Sequence, residues 1–182
     1  MKTNEIRAEQ ARLRALYRER PDEAMIHKKV RSGPADGRDA FHGAIAPENT
    51  HDPDAPYGVV WSFGLDRAVG GLHDRPNPGE LLCGALAACQ DGLIRMLAGA
   101  LGVALDRLEV EVTGDVDVRG TLDVERDVPV GFQALHMTVR LRASSGTPPA
   151  LLERLCASAE RLCINLDTLR RGVRVDVRYD VG

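Results

Sequence analysis

The stretch NPGELLCGALAACQDGLIRMLAGAL, residues 77–101, decides the fold because it predicts one long central helix. Asn77 can cap that helix, Pro78 suits its first turn, and Glu80 completes a capping box three residues after the cap. Gly102 follows as a natural stop. The stretch is apolar on nearly every side, so we expect the helix to be buried on most of its faces.

Polar residues near the middle of this stretch argue against a membrane span. Gln90, Asp91 and Arg95 lie where a bilayer would exclude them, so a buried helix is the better interpretation and no membrane partner is expected. The first 20 residues are charged throughout and lack the apolar segment of a secretory signal. We therefore expect a cytoplasmic location, where thiols stay reduced.

Composition limits the class of protein further. The chain has 182 residues, 43% of them hydrophobic and 28% charged, which predicts an ordinary globular protein with one core. A net charge of -3 argues against a dedicated nucleic-acid partner. The four cysteines are too few for a disulfide scaffold.

Alternating apolar and polar residues surround the central helix and predict strands with one wet face. A second helix, capped by Thr147, is predicted to run to about Arg170, where Gly172 stops it. The fold class is therefore α+β, an antiparallel sheet or sheets covered by two central helices. The predicted strands are 25–32, 39–46, 57–64, 108–119, 135–142 and 173–179.

The chain divides by pattern into an extension and one domain. Residues 1–24 are predicted as an N-terminal helical extension, with a helix from Asn4 to Arg20 ended by Pro21. Residues 25–182 are predicted as a single domain, since no linker or repeat interrupts them. One hypothesis gives the extension a role in binding a partner or a second copy of the chain.

The four cysteines fall two on each predicted central helix. Cys83 and Cys89 lie on the first, and Cys156 and Cys163 lie on the second. Their spacings do not match zinc-binding pairs, so neither a metal nor another cofactor is expected. Each cysteine can serve as a small buried hydrophobe. Alternatively, one thiol from each helix can form a reactive pair, in which periodicity does not assign the roles.

Two segments that carry cysteines resemble the motifs of the OsmC/Ohr family. Asn77-Pro78-Gly79-Glu80-Leu81-Leu82 followed by Ala87-Ala88-Cys89 is similar to the first motif, and Cys163-Ile164-Asn165-Leu166-Asp167-Thr168-Leu169 is similar to the second. The pieces His27-Lys28-Lys29, Pro56-Tyr57-Gly58 and Gly131-Phe132 also fit. The resemblance covers roughly residues 25–181.

The resemblance implies an intertwined homodimer that reduces organic hydroperoxides and is recharged by a dithiol reductant. It implies that Cys89 is the peroxidatic cysteine and Cys163 the resolving cysteine, with Glu80 as a third member of the catalytic site. Cys83 and Cys156 have no role in the family, so we expect them to serve in packing.

The chain departs from the family pattern where the peroxidatic thiol is usually activated. Ser62 stands where the family has an arginine, and Gly79 stands where it has a glutamate, with Glu80 one position later. Ile164 replaces the proline after the second cysteine. Arg38, Arg67 and Arg75 are candidates to replace the arginine, and Glu80 can simply cap its helix.

The departures support an alternative function. In it, the chain has lost or altered its peroxidase activity and binds a small apolar or thiol ligand at the dimer interface.

Overall fold

The structure is a computed structural model that describes residues 3–35 and 41–181. Within these residues the chain forms an α+β fold, as predicted. Short 3-10 turns occupy Pro21–Ala24 and Arg67–Val69. In chain order the elements are α1 (Thr3–Glu19), β1 (Lys29–Pro34), β2 (Gly43–Glu48), β3 (Trp61–Phe63), α2 (Pro78–Leu101), β4 (Leu105–Asp115), α3 (Val118–Thr121), β5 (Ala134–Ala143), α4 (Pro149–Leu162) and α5 (Ile164–Arg171).

Contacts within the chain divide it into two compact units. The first comprises the described residues up to Cys83 together with Thr113–Leu135, and the second comprises Gly84–Val112 together with the described residues from His136 onward. The domain boundary predicted between residues 24 and 25 stays a prediction.

The first unit contains an antiparallel sheet in the order β1-β2-β3. Its register places Lys29 opposite Glu48 and Ile45 opposite Trp61. The first two strands begin about four residues later than predicted, and positions 39 and 40 lie outside the described residues. The third strand is shorter than predicted because only residues 61–63 pair with β2.

The core of the second unit lies between two helices and a two-stranded sheet. Ile94 and Ala98 from α2 pack with Leu155 and Ala159 from α4, all four at most 2% exposed. Apolar residues of β4 and β5 pack against this cluster, Leu105, Leu108, Val139 and Ala143 among them. Removing this much apolar surface from water is the main driving force for folding of the unit.

The long helix is less buried than its composition predicted. Only one stripe, Leu86, Gln90, Ile94 and Ala98, is buried in the single chain. Met96 remains 41% exposed on the same helix. Among the described helices, α2 alone is long and apolar enough to cross a membrane, a property that core helices share.

The predicted strand 108–119 ends early, and its last residues form a helical turn instead. β4 stops at Asp115, and Asp117 caps α3 by accepting a hydrogen bond from the Arg119 backbone N–H. Alternation of valines suggested a continuing strand, but the side chain of Asp117 offers the backbone a competing local partner. This part of the strand prediction was wrong.

The predicted second helix is two helices separated at Cys163. Cys163 has an extended backbone, with φ -73° and ψ 113°, between α4 and α5. The predicted cap also shifts by one residue. Pro148 is the N-cap residue, and the Thr147 hydroxyl donates to the Ser144 carbonyl instead.

The predicted final strand does not pair within the chain. Residues 173–181 have no regular secondary structure in the single chain. Every apolar side chain of this segment is at least 63% exposed: Val173, Val175, Val177, Tyr179 and Val181.

Candidate functional site: a thiol pair on two helices

Two of the four cysteines meet in the second unit. The Sγ atoms of Cys89 on α2 and Cys163 at the start of α5 are 3.4 Å apart. Both thiols are free, since a disulfide would hold the sulfurs about 2.05 Å apart. The sulfurs therefore need to approach by only a small movement to bond, which fits the predicted pairing across two helices.

The two thiols differ in their access to solvent. Cys163 is fully buried, whereas Cys89 is half-buried in the single chain. Cys89 is therefore the more exposed residue of the pair in the single chain.

Burial also keeps Cys163 protonated. It raises the pKa of the Cys163 thiol, and the hydrogen bond to Cys89 acts in the same direction. The backbone N–H groups of Leu166 and Asn165 in the first turn of α5 lower that pKa, but burial is the largest influence. None of these influences comes from an arginine or lysine in the described part of the chain.

A side-chain amide links the two segments that carry the thiols. The Asn165 Nδ2 donates a 2.9 Å hydrogen bond to the carbonyl of Ala85 on α2. Asn165 follows Cys163 by two residues, and Ala85 precedes Cys89 by one helical turn. In the sequence, Asn165 stands out only as part of the second cysteine motif and has no assigned role. Its hydrogen-bond partner lies 80 residues away, so no local pattern marks the contact.

Gln90 is a second residue that sequence reasoning overlooked as a candidate. Its side chain lies on the buried stripe of α2 at 3% exposure, and its Oε1 has no hydrogen-bond partner among the described residues. Buried side-chain amides usually have hydrogen-bond partners, which sets this one apart from most buried polar groups. The only sequence signal was a glutamine within an apolar run.

Glu80 caps its helix, as the sequence allowed. Its carboxylate accepts a 2.8 Å hydrogen bond from the Asn77 backbone N–H, and the Asn77 Oδ1 accepts one of 3.0 Å from the Glu80 backbone N–H. The Asn77 Nδ2 also donates to Asp66 at 3.2 Å. These contacts account for the carboxylate as a capping group, and a catalytic role for Glu80 stays a prediction.

Position 79 is crowded by the Asn77 side chain and the Phe132 ring. A Cβ added to Gly79 would lie 3.1 Å from the Asn77 Oδ1 and 3.2 Å from the Phe132 Cζ, and one added to Gly114 would lie 2.4 Å from Cε1 of the same ring. A glutamate at position 79 would therefore require its neighbours to shift by a few tenths of an ångström.

Ser62, a second departure, lies on β3 opposite Ala44, and its side chain is exposed. Ile164, the third, is exposed at the start of α5.

The remaining predicted residues lie on several different elements. Arg67 is exposed at a 3-10 turn, Arg75 is half-buried in the loop before α2, and Arg38 lies outside the described residues. Cys83 is half-buried. Burial raises the pKa of its thiol, and the nearby negative charge of Glu80 raises it further. Cys156 is exposed on α4, contrary to the packing role expected for it.

Nothing in the described part of the chain is arranged to hold a metal. No group of three or more histidine, cysteine, aspartate or glutamate side chains comes together there. The chemistry open to the site is that of two adjacent thiols.

Fold and thiol pair together define a class of protein, an α+β protein with a cysteine pair at its central helix. The family model described as OsmC-like protein matches residues 71–178, more than half of the 182 residues. The chain belongs to this family. No curated protein sequence matches the chain.

Solved structures share the fold at low sequence identity. An OsmC-like protein from Mycoplasma pneumoniae has a TM-score of 0.60 and 11% identity, over 81% of this chain and 89% of its own. An organic hydroperoxide resistance protein OsmC from Legionella pneumophila has a TM-score of 0.54 and 18% identity, over 81% of this chain and 91% of its own. An organic hydroperoxide resistance protein from Elizabethkingia anophelis, with thiocyanate bound, has a TM-score of 0.55 and 14% identity, over 81% of this chain and 91% of its own.

Proposed function

We propose that the chain is a thiol-dependent reductase of organic hydroperoxides, with Cys89 as the peroxidatic cysteine and Cys163 as the resolving cysteine. The observation that carries the proposal is the 3.4 Å distance between their sulfurs. Membership of the OsmC-like family supports it, as do structural relatives named organic hydroperoxide resistance proteins.

The proposed reaction has three balanced steps. The Cys89 thiolate attacks the peroxide and takes one oxygen, so that Cys89 becomes a sulfenic acid and an alcohol leaves. The Cys163 sulfur then displaces that oxygen as water and forms the Cys89–Cys163 disulfide. A dithiol reductant finally reduces this disulfide to two thiols and is itself oxidised to a disulfide.

The geometry supports this division of roles. Cys89 is the more accessible thiol, which suits attack on a substrate that arrives from solvent. Cys163 is buried and protonated, so a peroxide meets it only after Cys89. Its position against the Cys89 sulfur favours rapid capture of the sulfenic acid before further oxidation.

Intact mass after treatment with cumene hydroperoxide tests the proposal. One equivalent added to the reduced protein is expected to lower the intact mass by two hydrogen atoms, with the disulfide mapped to Cys89 and Cys163. Cys163→Ser should instead retain an oxygen on Cys89, and Cys156→Ser should behave as the native chain. A native protein that keeps all its thiols would contradict the proposal.

A second candidate function rests on Ser62 and Gly79, which stand where the family has an arginine and a glutamate that activate the thiol. Gly79 lies beside the Phe132 ring. In it, the chain binds a small apolar or thiol ligand without turning over peroxide. The expected signature is a rise in Tm with a ligand from a lipid and thiol panel, retained in Cys89→Ser. Loss of the rise in that variant would favour the reductase.

We also propose that the chain acts as a homodimer in the cytoplasm, where thiols are kept reduced. The apolar residues of segment 173–181 alternate with charged ones and are all exposed, as in a strand that lacks its neighbour. The incompletely covered α2 supports the same conclusion.

Light scattering tests the oligomer. The native chain is expected at twice the 19.8 kDa of one copy. Val175→Asp combined with Val177→Asp should shift the mass toward one copy, whereas Asp176→Asn, on the charged side of the same segment, should not. A native mass of one copy would overturn the proposal.

A further inference from the structure

Besides the contact between the two sulfurs, the side-chain amide of Asn165 makes a hydrogen bond between the segment that begins at Cys163 and the turn of α2 that leads to Cys89. Its Nδ2 lies 2.9 Å from the Ala85 carbonyl. α5 continues for eight residues, so its first turn is a defined element rather than a loose loop.

The acceptor of this hydrogen bond belongs to the backbone that positions Cys89. In the continuous α-helix of α2, the carbonyl of Ala85 is the acceptor for the backbone N–H of Cys89, four residues later. One carbonyl therefore takes both the Cys89 backbone and the Asn165 amide. A carbonyl oxygen has two lone pairs and accommodates both donors.

These bonds form a short chain of covalent and hydrogen bonds that connects the two cysteines. It runs from Cys163 to Asn165, across the hydrogen bond to Ala85, and along one helical turn to Cys89. Without the amide, nothing polar in the described residues links the α5 backbone to this turn of α2. The 3.4 Å separation of the two sulfurs would then depend on the weak hydrogen bond between the thiols themselves and on apolar packing.

We propose that Asn165 is a positioning residue that sets the effective concentration of the Cys89 and Cys163 thiols toward each other. The inference rests on the proposed function, because it assumes that these two thiols form the working disulfide. It concerns the side-chain amide of Asn165, which acts through the backbones of the two cysteines and does not touch the peroxide.

Thiol–disulfide equilibrium with glutathione measures this property directly. Glutathione disulfide oxidises the two protein thiols to one disulfide and releases two reduced glutathiones, so the equilibrium constant is the effective concentration. Peroxide does not enter, so the measurement is independent of the reductase activity.

Asn165→Ala and Asn165→Asp both remove the donor. Each is expected to lower the effective concentration about two- to tenfold, the range for one lost hydrogen bond. A tenfold change corresponds to about 30 mV in the reduction potential. Asn165→Gln keeps the amide and should recover part of the loss. Asp167→Asn, which removes an exposed charge paired with Arg171 on the same helix, should leave the value unchanged.

A purely structural role would lower stability without moving this equilibrium in the folded protein. An unchanged effective concentration in folded Asn165→Ala would therefore overturn the proposal, as would a loss confined to Asn165→Asp, which adds a charge. If Asn165→Ala does not fold, Asn165→Leu, which is similar in size to asparagine and uncharged, takes its place in the same comparison. A native disulfide without peroxide turnover would contradict the proposed function alone, and no native disulfide would contradict both.

Discussion

The start of α2 and the break between α4 and α5 are both helix ends beside a cysteine, yet they are held in different ways. At the start of α2, Asn77 and Glu80 satisfy each other across three residues. At the break, Cys163 and Asn165 find their partners 74 and 80 residues away. A helix end that carries its own cap can be recognised in the sequence, whereas one held by distant contacts cannot.

The largest expected effect on stability is at the start of α2, the helix end that carries its own cap. Asn77→Ala removes the cap and should lower the free energy of unfolding by about 1 kcal/mol. Urea unfolding measures this loss. An unchanged midpoint would show that the start of α2 does not depend on its local cap.

Glu80→Gln is the matched variant at the same end, since glutamine also completes a capping box. It should leave stability and peroxide-driven disulfide formation close to native values if Glu80 acts only as a cap. A large loss of peroxide reactivity with stability retained would instead assign the carboxylate to the catalytic site.

A smaller effect on stability is expected at the break between α4 and α5, and it is expected at alkaline pH. The folded protein raises the pKa of Cys163, so the folded state holds a proton that the unfolded cysteine releases near pH 8.5. Stability from this source is present below that pH and falls as the pH rises above it. Under reducing conditions, Cys163→Ser should lose less stability than the native chain between pH 8 and 10. Parallel losses would contradict the argument.

The smallest effect concerns α3, another locally capped turn. The Arg119 side chain lowers the pKa of Asp117 to about 2. An unfolded aspartate titrates near 3.9, so this stability is present above about pH 4 and is lost as the pH falls toward 2. Asp117→Asn should weaken the acid dependence in that window, while Asp123→Asn should not. Identical stability against pH for the native and Asp117→Asn chains would show that Asp117 makes no such contribution.

The local patterns predicted much of the fold. The capping box of α2, the alternation in β5 and the proline after α1 each act through neighbours in the chain, and each element formed where expected. The predictions failed where a local pattern competed with another interaction. Asp117 ended β4, and the helix predicted through Cys163 broke although no glycine or proline marks the place.

For the candidate site, the sequence by itself determined that two cysteine motifs lie on two helices, because spacing and apolar character are properties of the chain. The resemblance of the two motifs to the family already pointed to Cys89 and Cys163 as the pair. Only the tertiary structure showed how close their sulfurs lie, that Cys163 is the buried member, and that Asn165 bonds to Ala85. Those facts depend on packing between segments more than 70 residues apart. Contacts over that distance are set by the whole core and leave no local pattern in the sequence.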